Sequence, residues 1–145
     1  MRKSIVYAFM MILLAVLLAS CGSKVYADGT YEGKSQVYQG DEEGNGDGYG
    51  VAVVVIKDNQ ITSCQFHTYQ IDGILKDKEY GKKQGAVANA DYYNKAQRAV
   101  MACGKYAQAL TQTGKLKDVD VISGATISYN EFKEAVKEAL DKARK

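Results

Sequence analysis

The sequence predicts an α+β domain, a small antiparallel hairpin-based sheet packed with two main amphipathic helices. Three observations predict it: a valine-dense run followed by Asp58-Asn59 and a second alternating run, a stripe at helical spacing from Ala96 to Leu110, and another from Phe132 to Ala143. Strands come first and helices last, as in α+β domains.

The first strand-like segment opens at Thr30-Tyr31-Glu32-Gly33. The second, Tyr49 to Lys57, places Val51, Val53 and Val55 on one face and Ala52, Val54 and Ile56 on the other. Two apolar faces predict a strand buried on both sides or packed under helices. Asp58-Asn59 then separates it from an alternating run, Ile61 to Ile71. Both residues tolerate the positive φ of a two-residue turn, so a β-hairpin is expected.

A charged stretch from Asp72 to Gln84 reads as irregular. Beyond it Ala96, Ala99, Val100, Cys103, Tyr106, Ala107 and Leu110 recur at helical spacing, and Gly114 stands where a C-terminal cap belongs. In the last segment Phe132, Ala135, Val136, Ala139, Leu140 and Ala143 form one stripe, with Lys and Glu opposite. Ser128 and Glu131 have the spacing of a capping box, which predicts a helix start at Ser128 or within a residue or two.

The chain of 145 residues carries 19 Lys+Arg against 17 Asp+Glu, a formal charge of +2. Neither the basic stripe of a nucleic-acid binder nor the acidic excess of a disordered tail is present, so no nucleic-acid partner is expected. All of the small excess sits in Arg2 and Lys3, ahead of an uncharged apolar run from Ile5 to Ala19. That run is shorter than the roughly 20 residues of a spanning helix and reads as a secretion signal.

The run ends in Leu18-Ala19-Ser20-Cys21, which resembles a bacterial lipobox. The resemblance implies a signal peptide over 1–20, diacylation of the Cys21 thiol, a lipidated tether over 21–28 and a folded domain over 29–145. An uncleaved short anchor or an ordinary secretory signal are the alternatives, and each exports the domain. Lipidation would hold it at the cell membrane on the extracytoplasmic face, and two or three acyl chains suffice without a basic patch.

Immediately before the last helix stands Asp120-Val121-Ile122-Ser123-Gly124-Ala125-Thr126. Backbone N–H groups at a helix start lack intrahelical partners, and the dipole places partial positive charge there, so a phosphate is stabilised. Gly124 permits a close turn, and Thr126 brings a hydroxyl to the same point. Small-residue turns before helices also serve merely as caps.

The motif resembles that of the FMN-binding domain family of the NqrC and RnfG lipoprotein type, Asp-x-x-Ser/Thr-Gly-Ala-Thr, matched at Asp120, Ser123, Gly124, Ala125 and Thr126. Asp28 to Gly33, the hairpin and the closing helix extend the likeness over most of the mature chain. It implies a covalent FMN, joined through a phosphoester to Thr126 by a Mg-dependent flavin transferase that uses FAD. It also implies electron transfer at the membrane surface, supplied by a membrane electron donor or quinone reductase. Ser128 falls beside the motif and is counted with the cofactor-binding residues.

His67, the only histidine, lies on the hairpin, where the family's strand often approaches the flavin, and Tyr69 is an aromatic stacking candidate. Tyr80, Tyr92 and Tyr93 are further aromatics near element ends; packing or surface placement is the alternative for each. Asp41 to Asp47 resembles a calcium loop until its twelfth position, which is Ala52 instead of Glu, so a solvated loop is expected and no metal site. Cys64 and Cys103 read as free thiols in preference to a disulfide. No acid/base pair or nucleophile cluster stands beside the motif, so no catalytic residue is assigned and an electron carrier is favoured over a stand-alone enzyme. The alternatives are a noncovalent flavin-binding or scavenging lipoprotein, and a surface interaction protein with a vestigial flavin site.

Overall fold

A computed structural model describes residues 25–40 and 46–145. The leader, Cys21 and the loop positions Asp41 to Asn45 lie outside the described residues. The elements run β1 (Gly29–Lys34), β2 (Tyr49–Lys57), β3 (Gln60–Tyr69), α1 (Ala90–Thr113), a 3-10 turn (Leu116–Asp118) and α2 (Thr126–Ala143).

The strands form one antiparallel sheet in the order β1-β2-β3. Asp58 and Asn59 adopt φ of 51° and 61°, the left-handed pair of a tight hairpin turn, and Val55 faces Ser63 across the ladder. The register then slips by one residue, so Ile56 faces Ile61 and Thr62 is the extra residue of a bulge. The second hairpin strand ends at Tyr69, two residues short of the expected Ile71.

Both helices lie on one side of the sheet: α2 crosses β1 and β2, and α1 packs on β3. Ala52, Val54 and Ile56 are buried beneath them, while Val51, Val53 and Val55 stay half-exposed on the other side. The expectation that β2 packs under helices therefore holds for one face only. The sheet's second face is covered by no layer among the described residues.

The predicted stripe of α2 is buried throughout. Phe132 meets Phe66 edge-on at 5.2 Å between ring centres and stacks on Tyr106 at 5.5 Å, joining both helices and the sheet at one point. Gly33 sets the spacing of α2 on β1, because a Cβ there would collide with the Ala135 carbonyl oxygen. Helix α1 is capped at both ends: the Asn89 side chain accepts from Tyr92 N–H at 3.0 Å, and Gly114 at φ 66° donates to the Leu110 carbonyl.

Two expectations are corrected. Val25 to Asp28 are more than a tether, since Ala27 N–H donates to Ala143 at 2.8 Å and Lys145 N–H to Val25 at 3.1 Å. This backbone pairing fixes the start of the packed chain against its end. The capping box does not form either. Helix α2 begins at Thr126, Ala125 holds the cap position without a side-chain bond, and Ser128 and Glu131 are buried within the helix.

Candidate functional site

The loop from Val119 to Ala125 is shaped by two tyrosines. Tyr106, 1% exposed, accepts from Ile122 N–H at 3.0 Å and donates to the Ala125 carbonyl at 3.2 Å. Tyr129 donates to the Val119 carbonyl at 2.8 Å. Between these ties Ala125 N–H closes a turn onto Ile122 at 3.0 Å, and Gly124 takes φ 79°, a left-handed conformation that a Cβ would strain.

Thr126 follows as the first residue of α2 and is exposed. The first intrahelical bond runs from Tyr129 N–H to Ala125 at 3.0 Å, so the N–H groups of Thr126, Ile127 and Ser128 precede the hydrogen-bonded ladder. No side chain caps them. The end of α2 therefore presents donors, partial positive charge and a hydroxyl together.

These groups open onto a cavity of about 430 Å³. Gly124, Ala125, Thr126, Ile127 and Ser128 form one wall; Ala96, Ala99 and Val100 of α1 form an apolar wall opposite; Tyr80, Tyr92, Lys76 and Lys95 complete it. Two cations beside a helix N-terminus suit a phosphate, and the apolar wall with two phenol rings suits a flat heterocycle. The residues fit FMN. A larger cavity of about 580 Å³ shares Tyr80 and Tyr92 but contains no residue of the motif.

Two buried charges lie at the cavity's base, Lys76 in its lining and Glu131 behind it. Lys76 is 8% exposed, donates to the Gly46 carbonyl at 3.1 Å and lies 5.2 Å from the Tyr80 ring centre. Burial lowers its pKa, and the nearby Glu131 works against that shift. Glu131 is 2% exposed, and neither carboxylate oxygen has a hydrogen-bond partner among the described residues. Burial pushes its pKa up to about 7, with the Lys76 charge opposing. Gly50 makes room chiefly for the Phe66 ring, which a Cβ there would meet at 2.6 Å, and also for Glu131, whose Cβ would be 3.0 Å away.

Of the residues expected at the site, the structure brings Gly124, Ala125, Thr126 and Ser128 to the cavity. Ser128 is there as a buried wall residue one turn before Glu131. Ser123 and Asp120 are exposed on the approach to α2, and neither makes a side-chain hydrogen bond among the described residues. His67 and Tyr69 are not brought to it. His67 is exposed, while its neighbours Phe66 and Thr68 are buried, so strand alternation turns it to the open face of the sheet. Tyr69 stacks instead on Tyr49, with ring centres 5.5 Å apart.

The sequence reading missed Lys76, Lys95 and Glu131. Lys76 lies in a stretch with no period, and Glu131 was absorbed by the capping pattern. One signal was present for Glu131: it precedes Phe132 on the same apolar stripe, three residues from Ser128.

The arrangement is that of a small α+β domain built around a helix-terminal motif and the cavity beside it. The chain belongs to the FMN-binding domain family, whose model matches residues 44–141. This membership indicates a flavin-binding protein. Among curated proteins none matches the chain. A crystal structure of a Clostridium perfringens protein is similar at 21% identity and a TM-score of 0.59, with 82% of this chain and 89% of that one covered, and shares the fold. A solution NMR structure of a Clostridium thermocellum protein aligns at 21% identity and a TM-score of 0.40, over 79% and 90% of the two chains.

Proposed function

We propose that the protein is a lipid-anchored, extracytoplasmic flavoprotein that carries FMN on the Thr126 hydroxyl through a phosphoester and transfers electrons at the membrane surface. The observation that carries this reading is the exposed Thr126 at the uncapped start of α2, opening onto a cavity with two lysines and two tyrosines. The leader ending in Cys21 supports export and lipidation.

Attachment requires the Thr126 oxygen to bond the FMN phosphorus of FAD as the pyrophosphate P–O bond breaks. AMP leaves, and the hydroxyl proton passes to solvent or to a base of the transferase, which also holds the Mg²⁺. The free N–H groups of α2 would hold the phosphate, with Lys95 and Lys76 as counter-charges. Gly124 supplies the left-handed turn that leads into Thr126, and the apolar wall of α1 would shield a bound ring from water. When bound, FMN supplies one- and two-electron chemistry. A covalent link makes retention independent of free flavin concentration, which suits a protein outside the cytoplasm.

The test is intact mass and in-gel fluorescence after denaturation, for protein co-expressed with and without a flavin transferase. Retained fluorescence and the mass of one FMN, both lost in Thr126→Ala, are expected. Complete loss of flavin on denaturation despite an active transferase overturns the covalent reading.

A further inference from the structure

At the cavity and just behind it lies a pair of buried charges, Lys76 and Glu131, and the attachment chemistry has no role for Glu131. Lys76 lines the cavity and is 8% exposed; Glu131 is 2% exposed, one helical turn inward from the lining residue Ser128. Both lie over the same stretch of the chain, Lys76 Nζ 2.8 Å from where a Cβ on Gly48 would stand and Glu131 Cβ 3.0 Å from one on Gly50, close enough to interact electrostatically though no salt bridge joins them. A buried carboxylate without any hydrogen-bond donor is costly, so such a group is retained where its charge matters or where it holds a proton.

We infer that Glu131 is a proton-controlled counter-charge to Lys76, so that proton uptake by its carboxylate leaves the Lys76 cation uncompensated toward whatever occupies the cavity. The step is a simple protonation: the carboxylate gains one proton from solvent, and no other bond changes. With Glu131 ionised the pair is neutral and the cavity floor is weakly polar. With Glu131 neutral, Lys76 stabilises negative charge in the cavity. Conversely, negative charge arriving in the cavity draws a proton onto Glu131, by the reciprocity of linkage.

The surroundings favour this coupling. Groups facing the pair are Cys103 from α1, Tyr80 from the loop after β3, Glu134 from α2, and Asp47 on the Lys76 side. Burial holds the Cys103 thiol and the Tyr80 phenol in their neutral forms, the thiol pushed up to about 11. From β3 comes Thr68, whose hydroxyl lies 3.8 Å from the Cys103 sulfur, and from β2 the uncharged Gly50. Glu131 is thus the group whose charge can change around neutral pH, beside a lysine whose charge burial disfavours.

The inference rests on the flavin reading of this cavity, and the test has two arms that separate them. In the flavin-free protein, carbon NMR of labelled glutamate follows Glu131 from pH 4 to 9. It is expected to titrate near neutrality, and Lys76→Met is expected to displace the midpoint further upward. In protein carrying flavin, the midpoint potential is titrated with dithionite as reductant across the same range. Wild type and Glu131→Gln are expected to coincide at low pH; above neutrality the wild type falls more steeply, then runs below the variant.

Lys76→Met is expected to lie below the wild type at low pH. Titration of Glu131 in the ordinary carboxylate range, unaltered by Lys76→Met, overturns the inference without folded Glu131→Gln being needed. So do parallel potential curves for wild type and Glu131→Gln. Failure to load flavin overturns the flavin reading, and the NMR arm still decides whether the pair is coupled.

Discussion

The Tyr106 hydroxyl donates to the carbonyl of Ala125 at 3.2 Å, and Ala125 is the residue that hands the chain into α2 at Thr126. The same oxygen accepts from Ile122 N–H at 3.0 Å. One side chain of α1 therefore clamps both ends of the turn that presents the threonine. Tyr106→Phe keeps the ring packed against Phe132 but leaves a buried N–H and carbonyl without their partner. It is expected to cost about 1–3 kcal/mol in denaturant unfolding and to slow flavin loading at Thr126. Stability and loading rate equal to wild type would remove the clamp from the account.

Gly124 offers a second handle on the same turn. At φ 79°, with the nearest atom to an added Cβ 3.9 Å away at Arg98 Nε, substitution meets strain without collision. Gly124→Ala is expected to lose about 1–2 kcal/mol from the left-handed backbone alone and to retain the fold by circular dichroism.

Glu131 makes stability depend on pH with a definite sign. Its pKa is raised from 4.5 to about 7, so between those values the folded chain holds a proton that the unfolded chain has released. Stability falls as pH rises through that window and is level above it, by up to about 3 kcal/mol if the shift is realised in full. Glu131→Gln is expected to abolish the fall and to unfold at higher denaturant than wild type at pH 8. The check is urea unfolding at pH 5 and pH 8 for both proteins.

Burial also silences the two inner thiols. Cys64 is pushed up to about 12 and Cys103 up to about 11, and both are free. Alkylation of either at pH 8, read by peptide mass, is expected to run about 100-fold or more below the rate in denaturant. Comparable rates in folded and unfolded protein would contradict their burial.

Local rules are legible in the sequence wherever they act within a few residues. The Asp58-Asn59 turn, the Gly114 cap and the stripe from Phe132 to Ala143 each follow from backbone preference or period, and each forms. The motif from Gly124 to Thr126 is legible for the same reason. Competition between two local readings is where inference fails. Ser128 and Glu131 satisfy the spacing of a capping box, but the helix begins two residues earlier, at Thr126, and both lie on its buried face. Lys76 could not be found at all, because only the return of the chain over β3 brings it to the cavity: Lys76 N–H donates to the Thr68 carbonyl at 2.9 Å. His67 and Tyr69 show the limit of placing a residue on a strand without knowing which face the helices cover.

The pairing of Val25 to Ala27 with Ala143 to Lys145 puts the chain's entry at the far end of α2 from Thr126. The helix has 18 residues, so roughly 27 Å of rigid rod separates the two. On the proposed reading, with lipid ahead of Val25 and FMN on Thr126, that rod would be a mast with the chain's entry at one tip and the flavin at the other. An electron partner would then have to meet the flavin a helix length away from the tip at which the chain enters.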